Sequence, residues 1–274
     1  MPDDFKHAVL GRTGLKVCRL GLAGTYRPGK EAIHKALDAG INYFFFFGID
    51  TQLIKVLRDA IPARRREDFV LASGGGNLIF KSQNLRKSVE RRLRKLKTDY
   101  IDIYHYLGIY KEKHFPEKVK EELLKLKETG KVRFTGVSCH HRKLLGKLAR
   151  EGEVDVLMIR YNTAHRGAEQ DIFPYLAEHN PGVVSYTATR WGYLLRRPKG
   201  WPADGRVPTA GDCYRFVLSN PAVHVALTAP RNLKQLEENL KVLDAGPLPA
   251  EDMEFMRRFG DAVHARQKKF RFFT

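Results

Sequence analysis

Eight short apolar segments alternate along this chain with stretches whose apolar residues recur at helical spacing. The segments are Cys18–Leu22, Asn42–Phe47, Phe69–Ala72, Tyr100–Tyr104, Arg133–Val137, Val154–Ile159, Gly182–Thr187 and His224–Leu227. Between them, ranges such as Lys30–Ala39, Pro116–Thr129, His141–Glu151 and Leu233–Leu243 predict helices, with apolar residues near every 3.6 positions. Such alternation implies parallel strands, because each helical crossover brings the chain back to the same end of the sheet. Eight units closing into a ring leave no strand edge exposed. The predicted fold is a (β/α)8 (TIM) barrel with an N-terminal β-hairpin, in which His7–Leu10 and Leu15–Cys18 flank the turn Gly11-Arg12-Thr13-Gly14. An open doubly wound sheet would want a Gly-rich turn after the first strand, and Gly24-Thr25-Tyr26 stands there instead.

The length, 274 residues, suits one barrel of this type, so 1–274 is read as a single domain. Hydrophobic residues at 43%, with no low-complexity linker, predict one compact core. The Pro/Gly-rich segment Arg197–Pro208 is expected to form a loop over one mouth of the barrel, and a last helix, about Ala250 to Lys268, to pack across its outside. No run approaches 18 uncharged apolar residues, and the N-terminus lacks the basic and apolar regions of a leader. A cytoplasmic protein is expected. Cys18, Cys139 and Cys213 are odd in number and widely spaced, which suits buried reduced thiols.

Lysine and arginine total 49 against 31 acidic residues, a net charge of +18 that favours anionic partners. Much of the excess lies in Lys81–Lys97. Leu85, Val89, Leu93 and Leu96 recur there at helical spacing, which predicts an outer amphipathic helix with a solvated basic face. Nucleic-acid association through that helix is the alternative, disfavoured because no aromatic residues interleave with the cations to stack on bases.

A series of motifs in order along the chain carries a family resemblance: Leu10-Gly11-Arg12-Thr13-Gly14-Leu15-Lys16-Val17, Ala36-Leu37-Asp38-Ala39-Gly40-Ile41-Asn42, Lys97-Thr98-Asp99-Tyr100-Ile101-Asp102, Gly130-Lys131-Val132-Arg133-Phe134-Thr135-Gly136-Val137-Ser138, Arg160-Tyr161-Asn162 and Gln235-Leu236-Glu237-Glu238-Asn239-Leu240. Together they resemble the aldo-keto reductases. The resemblance implies the same barrel, and carbonyl reduction with NADPH through a Tyr proton donor supported by Asp, Lys and His. Hydride arriving at carbon leaves an alkoxide, and such groups protonate and stabilise it.

None of the four stands where the pattern places it. Phe45 takes the Asp position, Gly74 the Lys position and Leu107 the His position. The Tyr position falls at Asp50, and no tyrosine lies between Phe44 and Asp99. The sequence therefore predicts that ordinary carbonyl reduction is weak or absent. Either the acid has been re-sited, with His105 and Tyr26 the candidates, or the protein is a non-catalytic binder of NADP(H) or another ligand. Tyr104 and Tyr106 are further candidate acids, and a hydrogen-bonded core position is the simpler reading of His105.

The resemblance retains more of the cofactor side. It places Tyr186 against the nicotinamide and Ser138 at its carboxamide, with Thr187 and Arg190 along the pyrophosphate and Arg231, Gln235, Glu238 and Asn239 at the adenosine phosphate, and Gly24 and Thr25 as further cofactor-binding residues. Cys139 and Met158 replace the family's Asn and Gln, and Ala229 its usual Gly. The expected cofactor is NADP(H), and the expected partner a small molecule at the C-terminal mouth. Cys139-His140-His141 invites a metal reading, but adjacent residues cannot readily all face one ion, and a loop is expected there.

Overall fold

The computed structural model describes residues 4–78, 81–82 and 84–265. A short antiparallel hairpin, β1 (His7–Val9) and β2 (Lys16–Cys18), comes first, with Val9 opposite Lys16. Then follow β3 (Leu20–Ala23), α1 (Lys30–Asp38), β4 (Tyr43–Phe46), α2 (Thr51–Ala60), β5 (Val70–Leu78), β6 (Lys81–Ser82), α3 (Leu85–Leu96), β7 (Ile101–Ile109), α4 (Glu117–Glu128), β8 (Val132–Cys139) and α5 (Arg142–Glu151). The second half comprises β9 (Val156–Arg160), α6 (Ala168–Asp171), β10 (Gly182–Tyr186), α7 (Ala210–Leu218), β11 (Val225–Thr228), α8 (Leu233–Leu240), α9 (Val242–Ala245) and α10 (Ala250–Ala265). Strands β3, β4, β5, β7, β8, β9, β10 and β11 pair in parallel, and β11 pairs back onto β3 to close the ring.

All eight predicted strands are present. Three run longer than the sequence suggests: Gly74-Gly75-Gly76 and Gly108 look like loop residues yet continue β5 and β7, and β8 runs on to Cys139.

Strand alternation sorts the side chains into two cores. The phenylalanine run shows how: Phe44 and Phe46 pack outward under the helices, while Phe45 and Phe47 point into the barrel. Inside, Tyr43, Val70, Ile103, Val156, Val184 and Val225 fill the lower barrel, and Leu10 and Val17 of the hairpin close its floor. His105 is also interior, taking the room that Gly136 leaves, with its ring 6.1 Å from that of Phe45. Its expected hydrogen bond is not there: neither ring nitrogen has a partner among the described residues. Tyr104 and Tyr106 point the other way, Tyr104 to the Ser88 hydroxyl at 2.9 Å and Tyr106 against Phe115, so both are outer-core residues and not acids at the mouth.

Two other expectations need correction. The loop 197–208 does not cover the mouth. Trp201 packs on Phe259 of α10 at 4.9 Å, and Arg206 pairs with Asp252 and Asp212, so the loop is pinned to the outer helix layer. Helix α3 does bury Leu85, Val89, Leu93 and Leu96, but its basic face is not wholly solvated. Arg92 is 3% exposed and donates to Ser73 Oγ, Ser88 and Gly74 O, stitching the helix to the end of β5. Gln83, at the start of the basic stretch, lies outside the described residues, as do 266–268 of the predicted last helix. Among the described residues no helix is long and apolar enough to cross a membrane.

Candidate functional site

A cavity of about 410 Å³ opens at the C-terminal ends of the barrel strands, the end at which barrels of this type carry their sites. Each wall comes from one strand end. Ala23 ends β3 and Thr25 and Tyr26 follow it, Phe45 lies in β4 and Phe47 just after it, Leu107 in β7 and Tyr110 just after it, and Ser138 in β8 and His140 just after it. Met158, Tyr186 through Thr189, Trp191, Leu227 and Ala229 complete the ring, with Tyr214 from α7. Among the described residues lining it there is no Asp, Glu, Lys or Arg.

Phe45, Gly74 and Leu107, the positions singled out by the sequence, lie close together around this cavity. Phe45 and Phe47 meet edge to face at 5.1 Å. A Cβ built on Gly74 would lie 2.7 Å from Leu107 Cδ1 and 2.8 Å from the His105 carbonyl, so Leu107 occupies the space a longer side chain at 74 would need. Gly74→Ala is therefore expected to cost about 1–3 kcal/mol through overpacking. An unchanged urea midpoint for that variant would show that the strand end yields freely. Asp50, at the pattern's Tyr position, is 7% exposed and accepts from Phe47 N at 2.6 Å, and burial pushes its carboxyl upward. It holds the turn before α2 and does not line the cavity.

Of the two candidate re-sited acids, Tyr26 lines the cavity at 40% exposure, with the Arg231 guanidinium 5.0 Å from its ring centre. His105 lies below the cavity and does not line it. Burial alone pushes it down to about 3, which leaves it neutral and unable to act as an acid from beneath.

The cofactor candidates separate into three groups. Thr25, Ser138, Tyr186 and Thr187 line the cavity, and the left-handed Thr187 (φ 59°) turns the backbone along its wall. Gly24 donates to Phe45 O at 3.1 Å just behind that wall. Arg190 is 4% exposed and not part of the lining. Burial and neighbouring Arg160 push it down to about 10. The last group runs from Arg231, before α8, to Glu238 and Asn239 in its last turn. Gln235 Oε1 accepts from Arg231 N at 2.9 Å, Glu238 accepts from Lys241, and Asn239 is buried, donating to Thr228 Oγ1 at 2.8 Å. Arg231 reaches a cavity residue, its guanidinium lying over the ring of Tyr26.

Cys139, His140 and His141 diverge. Cys139 is buried and its sulfur accepts from His141 N, while His141 Nδ1 caps α5 by accepting from Leu144 N at 3.1 Å. His140 faces the cavity. Its ring stacks on Tyr110 at 5.3 Å, and its Nδ1 lies 3.3 Å from the Tyr186 hydroxyl. Burial and Arg160 push it down to about 4. Sequence reasoning weighed His140 only as a metal ligand and passed over Tyr110 and Trp191. The missed signal was position, since His140 directly follows a barrel strand at the end where sites are built. Among the described residues no three His, Cys, Asp or Glu side chains converge as a metal site would require.

The family model described as "Aldo/keto reductase family" matches residues 25–200. L-galactose dehydrogenase of Arabidopsis thaliana is 27% identical, over 84% of this chain and 86% of its own length. Among solved structures, the holo form of aldo-keto reductase AKR11C1 from Bacillus halodurans superposes with a TM-score of 0.78 at 23% identity, covering 96% of this chain and 98% of that one. An aldo/keto reductase of Klebsiella pneumoniae, solved with NADP and acetate, gives 0.75 at 22% identity, covering 93% and 95%. Closed barrel, N-terminal hairpin and a family match over most of the chain lead to one assignment: this protein belongs to the aldo/keto reductase family.

Proposed function

We propose that the protein is an NADP(H)-binding member of the oxidoreductase family in which ordinary carbonyl reduction is weak or absent. The observation that carries this reading is the uncharged lining of the C-terminal cavity, with Phe45 and Leu107 in it and Gly74 closed off behind Leu107. An alkoxide forming between such walls would meet no charged support, and the cost of unbalanced charge in an apolar site falls on the transition state.

The residues present suit the cofactor that the Klebsiella structure holds. NADPH, when bound, supplies hydride. Tyr186 offers a ring face, Ser138 a hydroxyl and the Thr187 turn a polar edge along one wall, while Arg231 stands at the rim above Tyr26. The small-molecule ligand would occupy the hydrocarbon side of the cavity, between Phe45, Leu107 and Met158.

Titration calorimetry with NADPH tests the cofactor half of the proposal. Saturable binding below millimolar cofactor, weakened about tenfold or more by Tyr186→Ala, is expected from the loss of one large stacking surface. No heat and no thermal shift at millimolar NADPH would overturn it.

A further inference from the structure

The two ends of the barrel differ in charge. Seven described loops lead from a strand to the helix after it, following β3, β4, β7, β8, β9, β10 and β11, and they hold ten lysines and arginines against three acids. Of those acids, Asp50 is buried and Glu112 is held by Lys147 at 2.9 Å. At the opposite end, the seven loops that lead from α1 through α7 back to the next barrel strand hold five lysines and arginines against six acids. The basic excess of the loops is thus gathered around the mouth.

Exposed hydrocarbon follows the same division. Nine large hydrophobic side chains are exposed among the described residues, and six of them, Tyr26, Ile49, Tyr110, Trp191, Tyr193 and Leu195, stand in the loops at the mouth. Ile49 is 76% exposed and Trp191 53%. Trp191 is held in a left-handed backbone (φ 53°) between Arg190 (50°) and Gly192 (84°), a conformation rare for large side chains and concentrated in functional segments. Hydrocarbon collected on one face in this way marks a surface that leaves water on docking. Cations adjoin it in the chain: Arg27 follows Tyr26, Lys111 follows Tyr110 and Arg196 follows Leu195, and Lys113, Lys199 and Arg231 lie in the same loops, all six exposed.

We infer that the C-terminal mouth is a docking face for an anionic lipid surface, its aromatic and aliphatic side chains entering the headgroup layer and its cations lying against the phosphates around them. Tryptophan, tyrosine and aliphatic residues ringed by lysine and arginine suit a bilayer interface. A phosphodiester strand would also meet the cations, but Ile49 and Leu195 offer it no ring to stack on, and the cavity opening in the middle of this face is uncharged. The contact is with the surface alone, since among the described residues no helix is long and apolar enough to cross a membrane. This docking goes beyond the cofactor reading and stands whether or not NADPH binds.

The test is sedimentation of the full chain with vesicles of phosphatidylcholine, alone or with about one-third phosphatidylglycerol. Association with the anionic vesicles should be at least about tenfold tighter than with the neutral ones, and about 0.5 M salt should weaken it by a similar factor. Arg27→Gln/Lys111→Gln/Lys113→Gln should weaken it about tenfold or more, while Arg64→Gln/Arg65→Gln/Lys97→Gln, at the opposite end, should change it less than about twofold. Ile49→Ser/Leu195→Ser should weaken it about tenfold, and Leu124→Ser, on the exposed face of α4, should leave it unchanged. Vesicles should move the tryptophan emission to shorter wavelength, and Trp191→Phe should remove that movement, because Trp201, the other tryptophan, is packed on Phe259. No association with anionic vesicles, equal association with both kinds, or equal losses from the two sets of charge variants would each overturn the inference. So would undiminished binding by Ile49→Ser/Leu195→Ser, which would leave only a polyanion contact of the kind nucleic acid makes.

Discussion

Asp102→Ala should destabilise the protein by about 3–5 kcal/mol, as expected when one partner leaves a buried ion pair. Asp102 is fully buried near the N-terminal end of β7. Its Oδ2 accepts from Arg66 at 2.8 Å and from Leu71 N at 2.9 Å, and its Oδ1 accepts from Arg133 at 3.0 Å. Arg66 also donates to Thr98 and to the carbonyls of Phe69 and Tyr100, so one carboxylate ties β5, β7 and β8 together below the barrel. Removing it strands a largely buried guanidinium and a backbone N–H at once. Urea unfolding at pH 7 measures the loss. A variant within about 1 kcal/mol of wild type would mean that water reaches Arg66 and replaces the carboxylate.

The second large effect is a pH dependence set by His105. Its folded-state value, pushed down to about 3 by burial, lies below the ordinary 6.5, so the unfolded chain takes up a proton that the folded one refuses. Stability from this residue is complete above pH 6.5 and is lost as pH falls from 6.5 toward 3. The slope is about 1.4 kcal/mol per pH unit, or roughly 3 kcal/mol between pH 6.5 and pH 4. His105→Phe keeps a flat ring against Phe45 and has nothing to protonate. Comparing urea midpoints at pH 7 and pH 4.5 in both proteins isolates the residue, since His140, His165 and His224, also lowered by burial, are common to both. The variant should match wild type at pH 7 and exceed it at pH 4.5 by about 2–3 kcal/mol. Parallel losses in the two proteins would refute a buried, unpartnered His105.

The strands were legible because a parallel barrel buries both strand faces, so each reads as an apolar run between helical patterns. Their ends were less so. Gly74-Gly75-Gly76 carries no apolar signal, yet β5 continues through it, pairing these glycines with His105, Tyr106 and Leu107 of β7. Phe45 and Leu107 could be singled out by counting along motifs, and both line the cavity. Alternation from Leu107 sets His105 on the interior face one layer deeper, as observed; what counting could not give was the surroundings of each side chain, and the structure shows His105 buried below the cavity and Tyr104 and Tyr106 turned to Ser88 and Phe115 in the outer core. The same blindness hid His140, whose exposure to the cavity depends on β8 running on to Cys139. Arg92 shows the limit for charge, because nothing in a basic helix marks which arginine turns inward to bind Ser73 and Ser88.

The central claim is that a hydrocarbon lining has replaced the proton-transfer groups of an otherwise intact family barrel. Its most direct test is the rate of NADPH consumption with a panel of neutral aldehydes, set beside that of a relative retaining all four family groups. The account predicts turnover at least about a thousandfold slower than the relative's, the size of effect proton transfer supplies. Turnover near the enzyme median of about 10 per second would contradict it.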